Sequence, residues 1–320
     1  MRKVKVVQIG LNSHSHSGEI FDTLKKQNDL FEIAGVVLPE GERQRLPKKA
    51  AAMEGYPELT LEQALSNPNI EAVVIETDEI YLTKYALAAA KAGKHIHMEK
   101  PGGLRLAEFE ELIATVKQTG KVFHTGYMYR YNPAICDLME KVKRGQLGDI
   151  ISVEAQMNCL HTEETQRWIN EFPGGMMFFL GCHLTDLILQ MQGVPKKITP
   201  FGEMAVFTYE NGVSFAKTTA RERGGFRRRQ LVVTGTKATV ELKPLETYAG
   251  EELFTTTHTY TDANWHADGE KKDSVLFDRY ETMMAAFAAY VRGEKENPYT
   301  PDYELTLYKT ILQTCKEETT

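Results

Sequence analysis

Apolar residues follow two rhythms along the chain, and the change between them falls near residue 125. In the first stretch, short β-branched runs alternate with segments whose apolar positions recur at helical spacing. Val4 to Ile9 ends at Gly10 and precedes an amphipathic segment from Glu19 to about Lys26; Phe31 to Leu38 stops at Pro39; Leu61 to Leu65 leads to the strand Ala72 to Glu76. Leu82 to Ala92 closes on Gly93, a glycine suited to a helix C-terminus, and His95 to Glu99 then reads as a strand. Ala107 to Gln118 and Lys121 to Thr125 repeat the alternation. Strands separated by helices in this way predict a parallel, doubly wound sheet.

After Gly126 the period becomes two. Ile151 to Met157, Ala205 to Tyr209, Val213 to Thr219, Gln230 to Val233 and Thr239 to Lys243 alternate apolar and polar residues, with Glu210-Asn211-Gly212 as a turn between two of them. These runs predict an open, mostly antiparallel sheet, with helices Gly181 to Met191 and Asp278 to Arg292 covering one face. The expected fold class is α/β: a doubly wound domain over residues 1–125 and an α+β domain over residues 126–320.

With 320 residues, 42% of them hydrophobic, the chain has the material for two modest cores. A net charge of −6 supplies no general attraction to nucleic acid or to an anionic membrane, and neither is expected as a partner. Arg227-Arg228-Arg229 reads as a solvated loop or strand end, with an anion contact as the lesser alternative. Cys136, Cys159, Cys182 and Cys315 form no C-x-x-C pair, which fits a reducing compartment. No apolar leader precedes Val4, and the apolar stretch Met176 to Met191 is short for a bilayer and contains His183 and Asp186. A cytoplasmic, soluble protein is expected. His14 and His16 form one H-x-H without a nearby carboxylate, a pattern of polar loops, so no metal site is expected.

The chemistry-bearing positions lie at strand ends and on one helix. A dinucleotide turn uses glycine at its first, third and sixth positions, whereas Gly10-Leu11-Asn12-Ser13-His14-Ser15 keeps only the first. An acid that would hold an adenosine ribose at the end of the second strand is replaced by Leu38, with Glu40 two residues on and Arg43 and Arg45 nearby. Lys100, within Glu99-Lys100-Pro101, ends a strand of the doubly wound domain, where such folds bind ligands. His183 and Asp186 are three apart and share a helical face. Lysine and histidine are expected to meet across a cleft and to supply an amine and an imidazole for proton transfer, with Asp186 orienting or charging the imidazole or binding a substrate hydroxyl.

The chain resembles the Gfo/Idh/MocA family of oxidoreductases over nearly its whole length. The likeness rests on Ala88-Ala89-Ala90-Lys91-Ala92-Gly93-Lys94-His95-Ile96 leading into Glu99-Lys100-Pro101, on Gly126-Tyr127-Met128-Tyr129-Arg130-Tyr131-Asn132-Pro133, on Gly145-Gln146-Leu147-Gly148-Asp149-Ile150, and on Gly174-Gly175 before Gly181-Cys182-His183-Leu184-Thr185-Asp186. It implies a Rossmann domain holding NAD or NADP, a second domain shaping the substrate site, a sugar- or cyclitol-like substrate, and a homodimer or homotetramer. By that resemblance Lys100, His183 and Asp186 are catalytic. Gly10, Asn12, Ser13, His14, Leu38, Thr77, Glu99 and Lys100 meet the cofactor, and Tyr127, Arg130, Trp168 and Phe179 line the substrate. Four departures stand out: Asp78 and Glu79 follow Thr77 where the family has proline and asparagine, Leu82 stands for a histidine, and Phe179 stands for an aspartate. Two alternatives stay open: an enzyme that reduces and reoxidises a tightly held cofactor within one cycle, giving epimerisation, elimination or glycoside cleavage without net redox, and, motivated by the eroded glycine loop and Phe179, a ligand sensor or regulatory subunit without catalysis.

Overall fold

Five short strands line up as one parallel sheet. In the computed structural model, which describes residues 2–264, 266 and 268–315, these are β1 (Val4–Ile9), β2 (Phe31–Val37), β3 (Ala72–Ile75), β4 (His95–Met98) and β5 (Phe123–Thr125), in the order β2-β1-β3-β4-β5. Each residue of β3 is buried, as expected of a strand covered on both faces. Beyond β2 the chain makes one more parallel bridge, Val36 with Glu58: Val36 N–H donates to the Pro57 carbonyl at 2.9 Å and Leu59 N–H to the Val36 carbonyl at 2.8 Å. β1 has β2 on one side and β3 on the other, so the strand order reverses there, and ligand crevices open at such a switch point.

Local sequence sets the helices between these strands. The helix Leu61–Ser66 starts with a capping box between Thr60 and Gln63, and Leu106–Thr119 ends on Gly120 at φ 62°. The first helix runs Ser17–Lys26 and buries Ile20, Phe21 and Leu24.

Contacts divide the described residues into two units, one from Arg2 to Tyr127 together with Tyr280–Tyr308, the other Met128–Arg279 with the described residues from Lys309 to Cys315. The helix Glu281–Val291 thus joins the first unit. It was expected to cover the second sheet, but Phe287 packs against His97 and His124, with ring centroids 5.7 and 5.4 Å away. Its buried Met283, Met284, Phe287 and Ala288 suit either sheet, so apolar spacing alone did not choose between them.

The second unit is built on eight strands: β6 (Ile150–Asn158), β7 (Lys197–Pro200), β8 (Met204–Thr208), β9 (Val213–Thr219), β10 (Gln230–Gly235), β11 (Thr239–Leu242), then, after the small hairpin β12 (Thr247–Ala249) and β13 (Glu252–Phe254), β14 (Thr256–Tyr260) and β15 (Glu270–Asp273). Their order is β15-β14-β11-β10-β6-β9-β8-β7, antiparallel except for β6 and β9. A parallel pair needs a crossover, and the helix Gly181–Gln192 lies within the segment joining β6 to β9 and packs on both. Alternate residues such as Val153, Ala155, Phe207, Ala216, Leu231 and Val233 form the core beneath it. Among the described residues no helix is long and apolar enough to cross a membrane.

Candidate active site

In the first unit the functional side chains gather at the C-terminal ends of β1, β3 and β4. Gly10 leaves β1 with φ 83°, and a Cβ there would stand 2.2 Å from Thr77 Cγ2, so only glycine lets these two strand ends approach. Asn12 is fully buried. Its Nδ2 donates to the Thr77 carbonyl and to Glu79 Oε2, each at 3.0 Å, and its Oδ1 accepts the N–H groups of His14 and Ser15 at 2.8 and 2.7 Å. Ser13 N–H donates to Asp78 Oδ1 at 2.8 Å.

At the end of β4, Lys100 is 3% exposed and its Nζ lies 3.6 Å from Glu99 Oε1, which also accepts from Ser15 Oγ at 3.1 Å. Gly126, after β5, backs onto the same carboxylate: a Cβ there would meet Glu99 Oε2 at 2.3 Å. The β3 end adds Glu76 and Glu79, both fully buried. Burial raises Glu79 to about 7, with the Lys100 charge opposing the rise. Burial and the neighbouring Glu99 push Glu76 upward, again against Lys100, and His97 Nε2 lies 3.5 Å from its Oε1. Burial lowers His97 to about 3, so it stands neutral and shares a 2.7 Å hydrogen bond with His124. The Lys100 ammonium is therefore set beside Glu99 and feels two further acids, Glu76 and Glu79, that burial shifts toward their protonated forms.

The predicted ribose position differs from its expectation in detail. Leu38 follows β2 and is half-buried, while Glu40 accepts from Lys84 Nζ at 2.8 Å and from the Tyr85 hydroxyl. Arg43 pairs with Glu58, its Nε donating at 2.6 Å, whereas Arg45 links the Glu40 carbonyl (3.1 Å) to Asp78 Oδ2 (3.2 Å). Sequence reasoning missed Lys49. From the short helix Pro47–Ala51 its Nζ donates to the carbonyls of Asn12 (2.6 Å) and Ser15 (3.0 Å). Burial lowers its pKa, against the pull of Glu19 and Asp78. Nothing in the local pattern of two lysines and two alanines marked it.

In the second unit His183 occupies the first turn of the helix Gly181–Gln192, is 2% exposed, and meets the Tyr129 ring edge-on at 5.3 Å. Tyr129 donates its hydroxyl to Glu246 Oε2 at 2.7 Å, and burial together with that carboxylate keeps the phenol protonated. Burial alone would raise Glu246, but Arg279 and Arg229 hold it below the usual range, donating at 2.8 and 3.1 Å. Arg229, its side chain 11% exposed, is thus an ion-pair partner of Glu246 and not the solvated strand end that the basic run suggested. Glu246 carried no sequence signal.

Asp186 and Arg130 were expected to serve catalysis and substrate, yet their charged groups answer each other. Arg130 Nε donates to Asp186 Oδ2 at 2.9 Å and Nη2 to Oδ1 at 2.8 Å, with Gln190 Nε2 adding a bond to Oδ2 at 2.8 Å. Trp168 and Phe179 meet edge-on at 5.2 Å, and Phe172 joins both, so the position that stands for an aspartate belongs to an aromatic cluster. Tyr127 is 2% exposed beside Gly126. Among the described residues no group of three metal-ligating side chains is assembled.

A parallel sheet with a glycine turn at its switch point and a lysine at an adjacent strand end is the architecture on which doubly wound folds bind nucleotides. Residues 4–127 match the oxidoreductase family described as GFO/IDH/MocA, NAD-binding Rossmann fold, and residues 136–241 match its C-terminal domain; the chain belongs to this family. It is 26% identical over 204 residues, 62% of its own length, to scyllo-inositol 2-dehydrogenase (NADP(+)) IolW of Bacillus subtilis. It is 23% identical over 283 residues to 1,5-anhydro-D-fructose reductase of Ensifer adhaerens, covering 82% of this chain and 81% of that one. The aligned stretch spans 55% of IolW, and 39% and 46% of two uncharacterized oxidoreductases of Escherichia coli, about half the length of these relatives. In fold it is similar to KijD10, a 3-ketoreductase from Actinomadura kijaniata solved with NADP and TDP-benzene, with a TM-score of 0.77 at 14% identity, covering 97% of this chain and 96% of that one.

A nicotinamide dinucleotide fits the first unit. Gly10 keeps the turn free of a Cβ, the buried Thr77 Oγ1 and Glu79 Oε1 have no hydrogen-bond partner, and Lys49 and Arg45 place cations beside the turn.

Proposed function

We propose that this chain is an NAD(P)-dependent oxidoreductase acting on a secondary alcohol of a sugar- or cyclitol-like molecule. The observation that carries the reading is the buried Lys100 ammonium, at a strand end of the NAD-binding sheet and balanced by Glu99 and by acids raised by burial. Gly10, the backbone amides of Asn12, Ser13 and His14, and Thr77 would hold the dinucleotide, with Arg45 and Lys49 near its phosphates. When bound, the nicotinamide supplies the acceptor or donor of the hydride. Lys100 would donate a hydrogen bond to the reacting oxygen and stabilise its negative charge as it develops. His183 would take the hydroxyl proton on oxidation and return it on reduction. Arg130 and Asp186 would shape the pocket through their mutual pair.

The proposed substrate class is supported by relatives named for inositol and anhydro-fructose chemistry. A homodimer or homotetramer is proposed on the open face of the second sheet. There Val206, Phe215, Glu154, Val232 and Glu241 form one half-exposed rank across β8, β9, β6, β10 and β11.

The test is a panel of cyclitols and sugars with NAD⁺ and NADP⁺, followed by reduced-nicotinamide absorbance. Steady production with one polyol supports the reading. Binding of the dinucleotide without turnover on any polyol would sink it.

A further inference from the structure

Each amide from Asn12 to Ser15 donates to a side-chain acceptor. Asn12 N–H donates to Ser17 Oγ at 3.0 Å, Ser13 N–H to Asp78 Oδ1 at 2.8 Å, and those of His14 and Ser15 to Asn12 Oδ1 at 2.8 and 2.7 Å. In a glycine turn between a strand and a helix these are the donors that a pyrophosphate accepts from. Asn12 is fixed in this role, since its Nδ2 is held by the Thr77 carbonyl and Glu79 Oε2. Asp78 adds a formal negative charge to the turn, anchored on its other oxygen by Arg45 Nη2 at 3.2 Å.

We propose that Asn12 and Asp78 act as an internal counterpart of the dinucleotide pyrophosphate, holding the turn in its anion-accepting shape and competing with the cofactor for the same N–H groups. The proposal rests on the nicotinamide-dependent reading above. An amide oxygen takes two of the donors and a carboxylate oxygen takes a third, so a phosphate enters only by displacing them. When it does, Arg45 loses its carboxylate partner and becomes available to the incoming anion, beside the Lys49 ammonium on the Asn12 and Ser15 carbonyls. The substitution of asparagine for a fingerprint glycine at position 12, and of aspartate at position 78, are then two parts of one device. It sets cofactor affinity low and keeps the turn ordered.

Isothermal titration calorimetry of the full chain with NAD⁺, NADH, NADP⁺ and NADPH tests this, comparing the wild type with Asn12→Gly and Asp78→Asn. The first variant frees the His14 and Ser15 amides. The second preserves size and an acceptor oxygen and removes only the charge. Both are expected to bind the preferred dinucleotide roughly tenfold tighter while melting at a lower temperature without ligand. Equal or weaker binding by Asp78→Asn, with wild-type circular dichroism, would overturn the proposal even if Asn12→Gly fails to fold. If the wild type binds a dinucleotide and neither variant gains, the competition alone is refuted. If no form binds any dinucleotide, the nicotinamide reading is refuted with it.

Discussion

Arg130 and Asp186 form a bidentate ion pair in which both side chains are nearly sealed from solvent, at 1% and 2% exposure. Removing one member strands the other in a low-dielectric interior, which typically costs about 3–5 kcal/mol. Asp186→Ala should therefore lower unfolding free energy by about that amount in urea melts. A variant as stable as the wild type but inactive would show instead that Asp186 acts directly on substrate or on His183.

Lys100 and His183 are the groups assigned to charge stabilisation and proton transfer. Lys100→Ala and His183→Ala should each lower turnover by ~10²–10⁴-fold. Wild-type rates from both variants would remove them from the chemistry.

Glu79 links pH to stability. Its folded value of about 7 lies above the ordinary 4.5. Between these limits the folded chain binds a proton that the unfolded chain has released, so the stabilising contribution is full below the lower value and lost as pH rises to the higher. Glu79→Gln abolishes this titration. Its stability relative to the wild type should improve as pH rises through that window, by at most about 3 kcal/mol. Urea melts at both ends of the window measure the difference, and a constant offset would contradict the assignment.

Lys49 stands beside the turn as a partly buried ammonium. Lys49→Met should weaken dinucleotide binding by roughly tenfold and flatten its dependence on salt. Unchanged calorimetric affinity would exclude Lys49 from the cofactor site.

The first sheet was legible because short apolar runs such as Val4–Ile9 and Phe31–Val37 stop near a glycine or proline and alternate with helical segments, a rhythm that predicts a parallel sheet; the strand order itself is set by the fold. The second was legible only where alternation is strong: Ile151 to Met157 and Val213 to Thr219 stand out, but Lys197–Pro200 and Glu270–Asp273 have almost no apolar face to read. Lys100 and His183 came from motifs at strand and helix ends. The Arg130–Asp186 pair spans 56 residues of sequence, and no periodicity reports a contact of that range. Arg229 was hidden by its neighbours, since a run of three arginines looks the same whether its last member is solvated or tied to Glu246.

The outermost strands of the eight-stranded sheet carry a further consequence. β15, Glu270-Lys271-Lys272-Asp273, is exposed throughout, and at the opposite margin β7 begins with exposed Lys197 and ends in Pro200, which lacks an N–H. Unpaired strand margins are templates for runaway polymerisation, and charged side chains and proline blunt them. The sheet is thereby capped at both sides against recruiting another chain into a fibril.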